Sequence, residues 1–361
     1  MCWWRAAPCS WRPTPPPPCV NCGKEGSSVP ERAVRVVHEG HALNRDYLAM
    51  MVPLMAWPVF LYGWRPVALC AAALVTARIC DWLGAKLLSH RYDPTENSSL
   101  LYAVLLVMLM PATVPYYVVV VSTAVAVLIA KEAFGGYGAH PFHPTAVGYV
   151  AAVISWPQYL LRYPTPFQGA LPLWGGMDNV LYSDGISQVM STGGTPAVER
   201  LDLLLGNYAG AMGTGPALII LACGLLLLLR RRINVVVPAS FLLAAGLMVW
   251  CFPRIGNASG WLWQDVSLRL SALQFEMLSG GMLFGAVFLC CEPSTCPKNL
   301  LAQLIYGLLL GVLSMMYRYF GSYEVGVCFA LLIMNAASSY IDRAVIRLAN
   351  RKGVIRRGNV G

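Results

Sequence analysis

Charge is what this sequence has least of. Aspartate, glutamate, lysine and arginine make up 12% of its 361 residues, against about a quarter in ordinary soluble domains. A chain so poor in charge cannot clothe a water-facing surface, which excludes a soluble globular fold. Acidic side chains are the scarcer sign, 17 against 26 basic ones. There is no P-loop, no Rossmann glycine pattern and no Ser-His-Asp arrangement, so soluble nucleotide binding belongs to other polypeptides. The first 40 residues lack the apolar core and small-residue cleavage site of a signal peptide.

Apolar length, by contrast, is abundant. Hydrophobic residues reach 57% and mean hydropathy is +0.57, so the bilayer is the expected solvent. Crossing roughly 30 Å of hydrocarbon takes about 20 helical residues. Ten runs approach that, near 46–63, 66–88, 97–112, 115–133, 142–157, 213–230, 233–252, 272–291, 299–317 and 323–342. They are continuous rather than alternating, which argues against a transmembrane barrel. The expected fold is an all-α polytopic membrane protein. With the N-terminus inside, 19 of the 26 basic residues fall on the cytoplasmic side, including Arg230-Arg231-Arg232 and the tail from Arg343 to Arg357. That asymmetry places both termini in the cytoplasm and residues 158–212 outside, in the cell membrane. The +9 net charge then reads as topology and attraction to anionic membrane lipid, and nothing in it requires nucleic acid.

Residues 1–45 read as a cytoplasmic, disordered tail. Cys2, Cys9, Cys19 and Cys22 lie there among tryptophans and the run Pro15–Pro18. Cys19 and Cys22 have zinc-ligand spacing, but a structural zinc needs four ligands. Residues 46–157 and 213–342 form two five-helix units, separated by the 158–212 loop and followed by a basic tail, 343–361. The units echo each other. Pro111-Ala-Thr-Val-Pro115 recurs as Pro293-Ser-Thr-Cys-Pro297, Phe134-Gly135 as Phe320-Gly321, and Val147-Gly148 as Val325-Gly326. Five spans per unit is odd, so the second copy enters from the opposite side and the repeats are inverted. Such folds place sites near the midplane, where broken helices meet. The two Pro-x-Thr-x-Pro segments either line a cavity or cofactor with freed backbone, or simply end helices at the interface.

The outer loop carries Ser191-Thr192-Gly193-Gly194-Thr195-Pro196, a small-residue turn ending in a threonine. Other distinctive blocks are Phe134-Gly-Gly-Tyr-Gly-Ala-His140-Pro-Phe-His143-Pro144, Leu201-Asp-Leu-Leu-Leu-Gly-Asn207, and Leu278-Ser-Gly-Gly-Met-Leu-Phe-Gly-Ala286 running on to Glu292. Together, over roughly residues 45–345, these blocks resemble the D subunit of the Rnf electron-transport complex. That family is related to the B subunit of the sodium-translocating NADH:quinone oxidoreductase. The resemblance implies ten transmembrane helices, and FMN joined through its phosphate to a threonine by a separate flavin transferase. It implies partners in the other subunits of the complex, among them a flavoprotein subunit, and coupling to Na⁺ or H⁺. Thr195 is the matching acceptor, with Gly193 and Gly194 as small neighbours, Pro196 favouring extended backbone at Thr195, and Thr192 or Ser191 as other hydroxyls. The family usually has an aspartate about six residues before the threonine; here Asp184 lies eleven before. Gly194 stands where alanine is usual, and His140 and His143 where asparagines are. A second, noncovalent flavin near the Pro-x-Thr-x-Pro segments extends the reading.

Several residues keep two readings. His140 and His143 are either structural or a proton relay or metal pair. Arg78 and Asp81 share a helical face, as an internal ion pair or part of an ion route. Glu276 has no partner within four residues and faces a cavity or the outer interface. Cys290, Cys291 and Cys296 fall short of the four thiolates of an iron–sulfur cluster. For the whole chain, the alternatives to a flavin-bearing redox subunit are a non-redox transporter or channel on the same scaffold, and a structural membrane subunit that docks partners.

Overall fold

The computed structural model describes residues 31–88, 96–175, 177, 179–255, 266–321 and 323–351. The chain divides into two compact units, Met1–Gly40 and His41–Gly361. In the first, the described residues are the helical stretch 31–40. Cys2, Cys9, Cys19 and Cys22 lie outside the described residues.

The second unit is mostly helical. The helices are α1 (Glu31–Tyr62), α2 (Arg65–Leu87), α3 (Ser98–Met108), α4 (Tyr116–Ala124), α5 (Pro144–Ser155) and the short α6 (Pro157–Leu160). Then come α7 (Ile186–Ser191), α8 (Arg200–Leu205), α9 (Ala217–Leu229), α10 (Val236–Cys251), α11 (Val266–Leu278), α12 (Met282–Phe284), α13 (Leu300–Phe320) and α14 (Val327–Arg351). A two-stranded antiparallel ribbon, β1 (Tyr163–Pro164) with β2 (Tyr182–Ser183), crosses the loop that precedes α7. Each of the ten apolar runs coincides with helix. Four stretches are long and apolar enough to cross a membrane: Arg65–Leu87, Tyr116–Phe134, Leu300–Phe320 and Val327–Leu348. The bent pair Val266–Leu278 and Met282–Leu289 makes a fifth if counted as one span. Helices α3, α5, α9 and α10 are apolar but shorter. Helix extends into both supposed tails, because α1 already starts at Glu31 and α14 continues to Arg351.

Prolines explain much of the shortening. Pro144 and Pro157 start their helices at the first turn, where no amide hydrogen is needed. Pro111 and Pro115 bracket the gap between α3 and α4. Two stretches relax into wider turns with five-residue hydrogen bonding, Val125–Ile129 and Gly285–Leu289, closed by Ala130 N–H to Val125 O at 3.2 Å and Cys290 N–H to Gly285 O at 2.8 Å. Such bulges often accompany functional sites.

Without water to squeeze helices together, membrane helices associate through close backbone approach at small residues. On α13, Gly307 and Gly311 face α10. A Cβ at Gly311 would lie 2.8 Å from Ala244 Cβ and against the Phe241 carbonyl. Gly311→Leu overpacks that seam and costs about 1–3 kcal/mol. It is expected to lower the unfolding midpoint of the detergent-purified protein, whereas Leu309→Ala, on the exposed side of α13, leaves the midpoint nearly unchanged.

Candidate functional site

The loop carrying Thr195 is anchored from below. Helix α7 spans only six residues, too few to stand alone in water, and buried charges hold it. The Glu324 carboxylate, between α13 and α14, accepts from the α7 backbone at Ser187 N (2.7 Å) and Gln188 N (3.4 Å), satisfying amides that a helix start leaves open. Burial raises the Glu324 pKa, with Arg318 and the Ser187 amide pulling the other way. Arg254 donates to Ser187 Oγ at 2.8 Å and pairs with Glu276. Arg318 meets Glu276 Oε2 at 3.1 Å and Glu324 Oε2 at 3.8 Å. Two cations thus face two carboxylates, and the cluster is neutral. Arg318 and Glu276 have no exposed surface at all.

The same arginine holds open a broken helix. Between α11 and α12 the axis bends by 57°, because Gly280 (φ +63°) and Gly281 (φ +76°) adopt left-handed backbone that side-chain-bearing residues disfavour. Carbonyls freed by the break need partners. Arg318 supplies them, donating to Glu276 O at 2.7 Å, Ser279 O at 3.4 Å and Ser279 Oγ at 3.1 Å. Glu276, left without a local partner in the sequence, therefore faces neither lipid nor a cavity but two arginines.

At its other end α7 closes in a two-bond turn. Gly194 N–H reaches Val189 O at 3.1 Å and Gly193 N–H reaches Met190 O at 3.1 Å, with Gly193 at φ +78°. This is a Schellman cap, and it assigns Gly193 a structural duty beyond small size. Ser191 Oγ donates to Gln188 O at 2.6 Å and Thr192 Oγ1 to Val189 O at 2.8 Å. Thr195 follows in extended chain between α7 and α8. It is exposed, and among the described residues its hydroxyl makes no hydrogen bond. Of the three hydroxyls, Thr195 alone is free for chemistry. Asp184 is exposed, just ahead of the Gly185 that starts α7, and the structure does not bring it to Thr195 through any contact.

Both Pro-x-Thr-x-Pro segments line cavities as well as ending helices. Thr113 and Pro115 border a space of about 540 Å³ with Arg65, Tyr116, Trp174 and Tyr182. Trp174 stacks on Tyr116 with ring centroids 5.4 Å apart. Arg65 is buried and spends its hydrogen bonds on the Ala112, Val114, Pro172 and Leu173 carbonyls. Pro293, Cys296 and Pro297 border a second space of about 290 Å³ with Arg232 and Lys298. Burial, and then Glu292, push the Cys296 thiol up to about 12, and burial raises Cys290 and Cys291 as well. These thiols stay protonated. Among the described residues no group of three or more His, Cys, Asp or Glu is arranged to hold a metal ion.

Two further clusters sit at the ends of α2, α4 and α5. Asp81 pairs with Lys131 at 3.3 Å and accepts from Ser99, while Arg78 donates to the Glu96 carbonyl and to Asn97 Oδ1. The expected Arg78–Asp81 partnership gives way to Lys131, which also meets Glu96 at 2.8 Å and Glu132 at 3.3 Å. His140 and His143 converge on Glu292, with His143 Nε2 at 2.9 Å from Oε2 and His140 Nε2 at 3.6 Å from Oε1. Tyr102 donates to the same carboxylate. Sequence reading missed Glu292, Arg254, Arg318 and Glu324 as members of these sites, since most of their partners lie from 22 to 190 residues away.

The profile of the NQR2, RnfD, RnfE family matches residues 34–350. The chain belongs to this family. Curated relatives agree across most of both lengths. The D subunit of an ion-translocating oxidoreductase complex from Escherichia coli O1:K1 is 32% identical, covering 82% of this chain and 90% of its own. The protein of the same description from Alcanivorax borkumensis is 30% identical over 83% and 90%. The D subunit of a proton-translocating ferredoxin:NAD(+) oxidoreductase complex from Clostridium ljungdahlii is 27% identical over 81% and 86%. Family membership and the apolar helices together make this a multi-pass membrane protein, and the family match spans the α7 anchor, the glycine break and the Glu292 cluster alike.

Proposed function

We propose that this chain is the D-type membrane subunit of an ion-translocating electron-transport complex, with FMN esterified through its phosphate to Thr195. In this reading ten spans form two inverted repeats, both termini are cytoplasmic, and residues 158–212 lie outside in the cell membrane. The observation that carries it is the contrast among hydroxyls: Ser191 and Thr192 are hydrogen-bonded to α7 while Thr195 is exposed and free. The residues fit the group, because a phosphoester needs an accessible hydroxyl with small neighbours, and Gly193 and Gly194 leave the approach open. A Cβ at Gly193 would meet nothing within 4 Å.

When bound, FMN supplies one- and two-electron transfer at a fixed place in the membrane. The chain's own residues provide position. Glu324, Arg254 and Arg318 fix α7 to the α11–α12 break, so the attachment point is tied to the membrane core rather than to a floating loop. A noncovalent second flavin fits best beside the Thr113–Pro115 segment, where Tyr116 and Trp174 offer flat apolar faces and buried Arg65 a positive charge. Partners implied are a flavoprotein subunit and the other subunits of the complex, a flavin transferase for maturation, and anionic lipid at the basic inner face.

The test is a mass spectrum of the peptides spanning residues 163–200, after co-expression with a flavin transferase. An adduct of one FMN phosphoryl ester located at Thr195 supports the reading. Unmodified peptide throughout removes it and leaves the transporter or scaffold readings.

A further inference from the structure

We propose that His140, His143, Glu292 and Tyr102 form a buried proton-binding site, and that the ion carried at this point of the subunit is H⁺. The second half of that statement rests on the ion-translocating reading above; the first does not.

All four side chains are buried, the two imidazoles to 2% exposure or less. They come from four separate places in the chain: α3, the loop before α5, the first residue ahead of α5, and the segment after the Gly285–Leu289 turn. Tyr102 donates to Glu292, so its oxygen is left to accept from His140 Nε2, 3.2 Å away. His143 Nε2 lies 2.9 Å from Glu292 Oε2, but the two are not aligned for a hydrogen bond and Oε2 has no other partner among the described residues. Each imidazole is assigned its hydrogen on Nε2, the ring nitrogen nearest an acceptor. In a neutral ring Nδ1 is then an acceptor. Both Nδ1 atoms are buried and have no partner. A buried ring nitrogen without a donor is costly, and two such rings, each turned with Nε2 toward one carboxylate whose Oε2 is also unpartnered, make a site that lacks one proton.

Surrounding charge fits one proton and no more. Burial lowers the His140 pKa. Burial also opposes ionisation of Glu292, but His143, His140 and Tyr102 overcome it and bring its pKa to about 2. With both imidazoles neutral, the cluster carries one negative charge, on Glu292. A proton arriving from water adds to an Nδ1, gives an imidazolium beside the carboxylate, and leaves the cluster neutral; a second proton would leave it charged. Tyr47 on α1, Tyr137 in the loop, Tyr306 on α13 and the Cys296 thiol also face Glu292, and phenols and thiols are ordinarily neutral near pH 7. Ser294 donates to Glu292 at 3.0 Å. Among the described residues, Lys131 acts on His140 and Glu96 on Tyr102, and the two face each other at 2.8 Å. Asn335 on α14, in the orientation that satisfies its amide, holds the His143 backbone N–H at 3.0 Å. A small cavity lined by Asn44, Tyr47, Tyr137, His143 and Glu292 adjoins the site. Imidazole nitrogen suits a proton and is a poor match for Na⁺, a hard ion that wants oxygen.

The first measurement is a pH titration of ¹⁵N-histidine signals in the purified full chain in detergent, which holds five histidines. Expected is a single coupled protonation shared by His140 and His143 as the pH is lowered. Glu292→Gln should move it down by at least one pH unit, a tenfold loss of proton affinity. Signals that stay neutral throughout, or titrate identically in Glu292→Gln, overturn the site. The second measurement uses the whole complex in Na⁺-free proteoliposomes. The double variant His140→Asn/His143→Asn should move at least tenfold fewer protons per electron. Equal proton transport overturns the coupling claim. A complex without flavin would transfer no electrons in either form, sinking the proposed function while the histidine titration still stands or falls by itself.

Discussion

On the proposed function, Thr195→Ala is expected to abolish covalent flavin attachment. A band that fluoresces in a denaturing gel when the wild type is matured with its transferase is expected to be absent in this variant, while Thr195→Ser retains part of the signal. The expectation is sharp because the neighbouring hydroxyls are occupied. To serve as acceptor, Ser191 or Thr192 would first have to give up a hydrogen bond to the last turn of α7, worth about 0.5–1.5 kcal/mol, and would approach the transferase from a helix rather than an extended segment. Gly193→Ala provides an intermediate case. Left-handed backbone costs a residue with a Cβ about 1–2 kcal/mol, so the Schellman turn weakens and flavin loading falls without vanishing. If the Thr195→Ala band kept its full intensity, the ester would belong to Ser191 or Thr192, and the contrast among hydroxyls would carry no weight.

Much of this was legible in the sequence wherever the signal was local. Apolar runs found their helices, prolines found helix starts and gaps, and the twin Pro-x-Thr-x-Pro segments do border cavities. The small-residue turn before Thr195 also reads correctly, because a glycine after a short helix is a local signature of its end. Hidden from the sequence is everything that depends on partners far apart in the chain. Arg254, Arg318 and Glu324 drew no reading as site residues, Glu276 read as an orphan, and Asp81 as a partner of Arg78. Only folding shows that Arg318 sits 42 residues beyond the carbonyl it caps and that Glu324 reaches back 137 residues to start α7. One rule would have flagged them: charges within apolar surroundings pair. The histidines stood out for their chemistry, yet the carboxylate that defines their site was hidden 149 residues after His143.

Arg318→Met should be among the most damaging single changes in the chain, at about 3–5 kcal/mol for stranding a buried partner. The loss has two sources. Glu276 and Glu324 would keep only Arg254 against their two charges, and the carbonyls of Glu276 and Ser279 at the glycine break would lose their donors. Thermal unfolding of the detergent-purified protein is expected at a clearly lower midpoint, and flavin loading at Thr195 should fall with it, since α7 depends on the same cluster. Pairing the change with Glu276→Gln restores charge balance, with Arg254 against Glu324. The double variant should therefore recover part of the lost stability, and its effect should be less than the sum of the single changes. Additive losses would mean that Arg318 acts through the freed carbonyls alone. An unchanged midpoint in Arg318→Met would remove the cluster as the support that ties the Thr195 loop to the broken helix.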